Sequence, residues 1–294
     1  MTRQGKAYGY ALATVLLWST VASAFKLSLR HLDPPQLLLY ATVASTLVLA
    51  GLLAGQGRVG VLFSYTWLQY RRSLLLGLLN PFLYYLVLFK AYDLLPAQEA
   101  QPLNYTWAIT LALLSVPLLG QRLHPGDVLG GLVSYAGVLA ISTRGDLLAL
   151  RFSDPLGVVL ALGSTVLWSL YWIGNTRDDR DPVAGLLLNF LFGLPFVTVY
   201  CAVASDLRVS DPWGLLGAAY VGIFEMGVTF VLWLQALRLS ENTARVGNLI
   251  FLSPFLSLIF IRSLVGEAIL PSTLVGLALI VAGLGVQQVA RRRA

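Results

Sequence analysis

The sequence contains little charge and almost no cysteine or histidine. Only 12% of its 294 residues are Asp, Glu, Lys or Arg, and 57% are hydrophobic, whereas a soluble domain carries roughly 25% charge. A water-soluble fold is therefore excluded. The single Cys201 can form no internal disulfide, and the two histidines, His31 and His124, lie in connections between apolar runs. Neither a disulfide framework nor a His/Cys metal site is predicted.

Motifs for several kinds of enzyme are also missing. The chain has no Gly-x-Ser-x-Gly nucleophile motif and no phosphate-binding Gly-Lys loop, so an ATP-driven pump is excluded for this chain alone. The run Arg177-Asp178-Asp179-Arg180-Asp181 resembles a metal-diphosphate site. A membrane-embedded enzyme acting on a lipid or diphosphate substrate is therefore kept as an alternative. No second acidic cluster accompanies this run, so we predict no catalytic residue, no metal and no cofactor.

Long apolar runs make up most of the chain. Each is near the roughly 20 residues that a helix needs to cross about 30 Å of hydrocarbon, and the alternation of a barrel is absent. The first run has a basic start and reaches Ala22-Ser23-Ala24, as in a cleaved signal, but it continues to Leu29, and we expect it to be retained. The prediction is an all-α membrane protein with ten transmembrane helices, over 7–29, 35–55, 73–95, 97–119, 126–144, 155–175, 183–204, 213–237, 243–263 and 271–290.

The positive charges predict the orientation in the membrane. The net charge of +6 comes from residues scattered at helix ends rather than from one patch, so no nucleic-acid binding is predicted. With the N-terminus inside, 13 of the 20 Lys and Arg residues are cytoplasmic. The positive-inside rule then places both termini in the cytoplasm of a bacterial inner membrane. Lys26 and Lys90 are expected to extend to the headgroups of the lipid bilayer. The oligomeric state is left open, and a monomer is compatible with the sequence.

The chain repeats itself once. Leu17-Trp18-Ser19 recurs as Leu167-Trp168-Ser169, and a Gly/Pro pattern recurs at a constant offset of 146. We predict two five-helix units, 1–148 and 154–294. Because five is odd, the second unit enters the membrane from the opposite side, as in secondary transporters with a binding site near the bilayer midplane. The residues repeated at offset 146 are Gly120, Pro125, Gly130 and Gly137, matched by Gly266, Pro271, Gly276 and Gly283.

Two pairs of glycines have the spacing that allows helices to approach each other closely. They are Gly51 with Gly55, and Gly126 with Gly130. Both pairs are candidates for close helix contacts, although glycine is common in this chain.

Polar residues in the middle of apolar runs are candidates for function, because a polar side chain is costly in hydrocarbon. Glu225 lies near the centre of the predicted eighth helix, and Asn80 lies at the counterpart place in the third, with Tyr84 one turn later. Glu225 is expected either to bind a substrate ammonium or a proton, or to be a protonated acid bonded to a neighbouring helix. A matched pair of this kind is what a central site shared by two repeats requires.

Several aromatic residues lie too deep for interfacial anchors. Three tryptophan rings have two interpretations. They line a cavity, where they stack on a flat side chain or surround an ammonium, or they pack in the core. The three are Trp18, Trp107 and Trp168. The predicted substrate-binding residues are Trp18, Asn80, Tyr84, Asn104, Tyr105, Trp107, Trp168, Trp172 and Glu225.

These motifs carry a resemblance over essentially the whole chain. Two halves that each have an early Leu-Trp-Ser and a late Gly-x4-Pro-x4-Gly-x6-Gly resemble EamA-type proteins of the drug/metabolite transporter superfamily. Within it, Asn104-Tyr105-Thr106-Trp107 is similar to bacterial exporters of aromatic amino acids, whereas Gln121 stands where an acid is expected and Glu267 is kept in the second half.

The resemblance implies a carrier that exports aromatic amino acids or a broader range of amino acids, and related small metabolites, by alternating access. Its cavity would be lined by helices one, three, four, six, eight and nine. A carrier of nucleotide-sugars or of cationic drugs is the alternative within the same superfamily.

Overall fold

The described part of the chain is helical. The computed structural model describes residues 2–120, 125–146, 153–175, 178–239 and 248–293, and no strand occurs in these ranges. The predictions for Gln121, His124 and Arg177 lie outside them. The α-helices are α1 Arg3–Ser28, α2 Pro34–Gly55, α3 Trp67–Gly77, α4 Tyr84–Leu94, α5 Ala97–Tyr105, α6 Trp107–Leu119, α7 Pro125–Ser142, α8 Pro155–Asn175, α9 Pro182–Ala204, α10 Pro212–Tyr220, α11 Val228–Leu239, α12 Leu252–Phe260 and α13 Pro271–Arg293.

Local chemistry determines where several helices begin. The side chain of Asp33 accepts a hydrogen bond from the Gln36 backbone N–H at 2.9 Å, and the Gln36 side chain accepts one from Asp33 N at 3.2 Å, which completes a capping box. Asp181 caps α9 by a single hydrogen bond, which its side chain accepts from the N–H of Ala184 at 2.9 Å. In each case a proline follows the aspartate, where its missing N–H costs nothing. The predicted starts of these two helices, at residues 35 and 183, agree with the structure to within one residue.

Six helices in the described ranges are long and apolar enough to cross a membrane, and three shorter ones are apolar. The prediction of an all-α membrane protein is therefore confirmed, while the count of ten spans stays a prediction. The six are Arg3–Ser28, Pro34–Gly55, Trp67–Leu94, Pro155–Asn175, Pro182–Ala204 and Pro212–Trp233, and the shorter three are Val128–Ser142, Leu252–Val265 and Pro271–Val286.

The two glycine-rich helices at the ends of the repeats pack against each other in antiparallel directions. In α7 and α13, Gly137 contacts the backbone of Gly276, and Gly130 contacts the backbone of Gly283. A Cβ on Gly276 would lie 2.6 Å from the carbonyl oxygen of Gly137, so a larger residue would force the helices apart. Gly130 and Gly276 are repeat equivalents, as are Gly137 and Gly283. The contacts are therefore reciprocal, as across a two-fold axis perpendicular to both helices.

One hydrogen bond lies where this axis passes. Ser134 Oγ donates to the carbonyl oxygen of Ile280 at 3.1 Å, and these two residues are themselves 146 apart.

The close approach predicted for Gly126 is confirmed by its contact with Ala290. The prediction for Gly51 and Gly55 is wrong: both positions face open space, and no neighbouring helix in the described ranges comes within 4 Å of the place that a Cβ would take.

A second reciprocal contact involves the middle of two other helices. Gly77 at the end of α3 lies against the backbone of Asn189 in α9, and Gly222 lies against the backbone of Ala41 in α2. Gly222 follows Gly77 by 145 residues, and Asn189 follows Ala41 by 148. The same helix contact therefore occurs twice. In one copy the glycine comes from the first half of the chain, and in the other it comes from the second half.

Candidate functional site

Two helices change their winding at equivalent places in the repeats. Wide turns of the π-helical type, with i→i+5 hydrogen bonds, replace the α-helix in two places. They cover Leu78–Leu83, between α3 and α4, and Val221–Glu225, after α10. In the first turn Asn80 is extended (φ −148°, ψ 118°) and is followed by Pro81, which has no N–H to donate. Irregular backbone at membrane depth is tolerated only where it is buried in protein or lines a cavity. These turns place Asn80 and Glu225 in corresponding positions.

Both side chains are buried and have unused hydrogen-bonding capacity. Asn80 is fully buried, and neither of its side-chain polar atoms makes a hydrogen bond of ordinary geometry among the described residues, although the Tyr171 hydroxyl lies nearby. Glu225 Oε1 accepts a hydrogen bond from Tyr85 Oη at 3.1 Å, whereas Oε2 lies near the indole N–H of Trp18 without a hydrogen bond of ordinary geometry in the described ranges. A buried polar group without a partner costs about 1–3 kcal/mol. These atoms are therefore suited to receive a ligand, a proton or water.

Aromatic rings from both halves form a cluster next to Glu225. The Trp168 ring stacks on Tyr84 with 4.5 Å between centroids, and it meets Trp172 at 5.8 Å and Phe230 at 5.6 Å. Trp18 joins through Phe230 at 6.2 Å. We call Trp18, Tyr84, Trp168, Trp172 and Phe230 the central aromatic cluster. It brings together four of the residues predicted from the sequence.

A short polar row extends from this cluster. Tyr84 Oη donates weakly to Asn104 Oδ1 at 3.5 Å, and Asn104 Nδ2 donates to Ser164 Oγ at 2.9 Å. Tyr105 Oη donates to Ser253 Oγ at 3.0 Å, which links α5 to α12. The predicted residues Asn104 and Tyr105 thus lie where the two halves meet.

Trp107 is not a member of the central aromatic cluster. It is partly buried against the hydrophobic core, and its backbone carbonyl accepts a hydrogen bond from Ser169 Oγ at 3.2 Å. Its participation in substrate binding, like that of the other predicted residues, stays a prediction.

A cavity of about 250 Å³ adjoins the aromatic cluster. It shares Trp172 and Phe230 with the cluster, so the two are continuous. The other lining residues belong to the end of α8, the following connection and the start of α9: Tyr171, Asn175, Asp178, Arg180, Asp181, Pro182, Gly185 and Leu186.

The charges beside this cavity are paired. Arg180 Nη2 lies 2.6 Å from Asp178 Oδ2, and Arg58 Nη1 lies 2.9 Å from Asp181 Oδ2. Burial alone would raise the pKa of Asp178, but the hydrogen bonds and the charge of Arg180 offset this and lower it below its usual value. Two of the aspartates behind the metal-diphosphate alternative are thus bound by arginine, which argues against that alternative.

At the end of the molecule opposite the cavity, Lys26 is bonded within the first half of the chain. Arg180 Nη1 binds Ser73 near the start of the bent helix Trp67–Leu94, whereas Lys26 Nζ donates to the carbonyl of Tyr92, near its end, at 2.6 Å. The expectation that Lys26 extends to the headgroups is therefore wrong, because carbonyls at the helix end satisfy its ammonium.

Hydrogen bonds at the starts of two helices join the two halves of the chain at this end. Ala97 N donates to Glu267 Oε1 at 2.8 Å, and Leu270 N donates to Gln98 Oε1 at 2.9 Å. Each repeat thus supplies a side chain that caps a helix of the other.

Sequence reasoning missed three residues of the site. Tyr85, Phe230 and Ser253 were not predicted, although each contacts a predicted residue. Regular helical spacing places Tyr85 off the face that carries Tyr84 and Asn80. The wide turn alters that spacing, and the only local signal for it is a proline, Pro81, inside an apolar run.

Comparison with known proteins gives consistent matches along the chain. The EamA-like transporter family matches residues 5–143 and again 155–286. The chain is 28% identical to the aromatic amino acid exporter YddG of Ancylobacter novellus, over 95% of this chain and 96% of that protein. It is 26% identical to an uncharacterized transporter of Archaeoglobus fulgidus, over 84% and 85%. A crystal structure with 25% identity aligns over 98% of both chains with a TM-score of 0.69.

Proposed function

The chain belongs to the EamA-like transporter family, and we propose that it is a secondary transporter that exports amino acids across a bacterial inner membrane. In this proposal ten transmembrane helices form two inverted repeats, with both termini in the cytoplasm. The family match on each half and the reciprocal contacts of α7 with α13 support two copies of one unit. Because these helices run antiparallel, their two-fold axis would lie in the membrane plane, which suits alternating access.

One observation carries the proposal: the paired helix breaks that hold Asn80 and Glu225. Interrupted helices at corresponding positions of two repeats mark the substrate site in secondary transporters. Here both interruptions hold a buried polar side chain with unpartnered atoms in the described structure, and aromatic rings from both halves lie beside them. A site of this kind is reached alternately from either face when the halves rock.

The chemistry of the site favours a substrate with an ammonium and a flat side chain. Glu225 supplies a carboxylate, and the central aromatic cluster supplies ring faces that attract cations and stack on flat groups. The relative from Ancylobacter novellus is named as an exporter of aromatic amino acids. We therefore propose aromatic amino acids as the first substrates to test and a broader range of amino acids after them.

Counterflow tests this function. Proteoliposomes loaded with unlabelled L-phenylalanine are diluted into trace labelled L-phenylalanine, beside vesicles without protein. The proposal expects a transient accumulation of label in the proteoliposomes alone. Equal uptake in both preparations, repeated across a panel of the 20 standard amino acids, would remove the assignment.

A further inference from the structure

The cavity beside α9 has an arrangement of charges that the central site does not require. Its lining includes one guanidinium, that of Arg180, and two carboxylates, of which Asp178 contacts Arg180 and Asp181 contacts Arg58 outside the lining. Arg180 is 6% exposed and is held by several bonds, with Nη1 donating to Ser73 Oγ at 2.8 Å and to Gln69 O at 3.2 Å. The position of the guanidinium is thus fixed before any ligand arrives.

The hydrogen bonds of Arg180 leave donor capacity on one nitrogen. Nε donates to both oxygens of Asp178, at 2.9 and 3.0 Å, and Nη2 donates to Asp178 Oδ2 at 2.6 Å. Since each terminal nitrogen of a guanidinium carries two N–H groups, Nη2 retains one N–H without an acceptor in the described part of the chain. That group is the one donor of the guanidinium left for an anion in the cavity, which Arg180 lines.

Gly185 gives the cavity access to this ion pair. A Cβ on Gly185 would lie 3.8 Å from Asp178 Oδ2 and 3.9 Å from Arg180 Nη2, at ordinary contact distance. Because glycine has no side chain, both charged atoms border the same open space. A cation donor and an anion acceptor therefore face the cavity side by side.

We propose that this cavity is a cytoplasmic vestibule site that captures zwitterionic α-amino acids before they reach the central site. The α-carboxylate binds Arg180 Nη2, and the α-ammonium binds Asp178 Oδ2. The side chain of the amino acid points toward Trp172 and Phe230, which belong to both the cavity and the central aromatic cluster. This inference rests on the proposed transport function and names how its substrate is recognised on one face.

The test fills the cavity at Gly185, where the atoms nearest to an added Cβ belong to Asp178 and Arg180. Gly185→Leu places an apolar side chain over the ion pair, and Gly185→Ala is a milder step that fits at contact distance. Gly163→Leu is the matched control, because Gly163 lies on the exposed face of α8 with open space around it in the described structure. The KM for labelled L-phenylalanine is measured in inverted membrane vesicles, which present the cytoplasmic face, and in right-side-out vesicles.

We expect Gly185→Leu to raise the KM about tenfold or more in inverted vesicles, with Gly185→Ala intermediate, and to leave the KM in right-side-out vesicles within about twofold. An unchanged KM in inverted vesicles, or an equal rise on both faces, would overturn the vestibule site. If the unaltered protein moves no amino acid in either preparation, the proposed function itself fails.

Competition tests the zwitterion assignment separately. In inverted vesicles, phenethylamine lacks the carboxylate and 3-phenylpropanoate lacks the ammonium. Each is expected to inhibit L-phenylalanine transport at least tenfold more weakly than unlabelled L-tyrosine does. Inhibition by either compound as strong as that by L-tyrosine would contradict recognition of both charges.

Discussion

The two interrupted helices of the site are interrupted at matching places in the chain but differ in backbone conformation and in chemistry. Each breaks at the same place in its repeat and packs through a glycine on a helix of the other half. The first break holds Asn80, a neutral amide followed by Pro81, whereas the second holds Glu225, an acid bonded to Tyr85. The repeated backbone therefore provides a cavity between the halves, and the differing side chains decide what it binds.

This difference has a consequence for charge. Among the described residues, the only buried charged groups are Glu99, Arg180 and Glu225, and only Glu225 lies at a helix break. An ionised carboxylate in that position requires a nearby cation, since an unpaired buried charge is costly. A substrate ammonium or a proton meets that need, whereas Asn80 creates no such requirement.

The largest expected effect separates the two breaks. Glu225→Gln keeps the shape but removes the charge, and a hydrogen bond to a charged group contributes about 1.5–3 kcal/mol. We therefore expect L-phenylalanine flux in proteoliposomes to fall roughly ten- to hundredfold, with membrane insertion unchanged. Asn80→Ala removes only a neutral group, and its loss of flux is expected to be several times smaller. Equal losses in the two variants would show that the breaks are not specialised.

The next effect tests whether the halves are equivalent in packing. Gly137 and Gly283 are repeat equivalents, and each contacts the backbone of the opposite helix. Replacing either by Ala is expected to lower the free energy of unfolding by about 1–3 kcal/mol, as overpacking does, and to lower the apparent Tm in detergent to a similar extent. Gly51→Ala is the control, because open space surrounds it, and its Tm should not fall. A large loss at one equivalent alone would argue against reciprocal packing.

The smallest effect concerns the bond that holds the acid. Tyr85→Phe removes the hydrogen bond to Glu225 Oε1 but leaves the carboxylate in place. We therefore expect a smaller effect than for Glu225→Gln, about 0.5–1.5 kcal/mol as for an average hydrogen bond, and a fall in flux of roughly three- to tenfold. Tyr84→Phe is the matched change in the neighbouring residue, where the hydrogen bond to Asn104 is long at 3.5 Å. Its flux is expected to stay within about twofold of the original. A greater loss for Tyr84→Phe would place substrate recognition on the Asn104 side.

The parts of the fold that depend on local chemistry were predictable from the sequence. Aspartate caps and first-turn prolines mark the starts of helices such as α2 and α9 correctly, and the offset of 146 identifies the glycines that meet between α7 and α13. Features that depend on tertiary contacts were not predictable. Lys26 was expected at the headgroups because the sequence does not show that carbonyls of α4 lie beside it.

The same limit applies within the candidate site. Glu225 and Trp168 were identifiable because polar and deep aromatic residues stand out in an apolar run. Tyr85 was missed because its approach to Glu225 depends on a wide turn that forms where Gly77 packs on α9. Helical periodicity assumes regular winding and fails at such turns.

The most direct test of a pocket shared by the two halves uses cysteine protection. Tyr84→Cys in the first half and Phe230→Cys in the second are made separately in a Cys201→Ala background, since both rings contact Trp168. A small methanethiosulfonate reagent is applied to proteoliposomes with increasing L-phenylalanine. We expect both cysteines to react, and we expect the amino acid to slow both reactions with the same half-maximal concentration. Protection of one cysteine alone, or no reaction at either, would contradict a shared pocket.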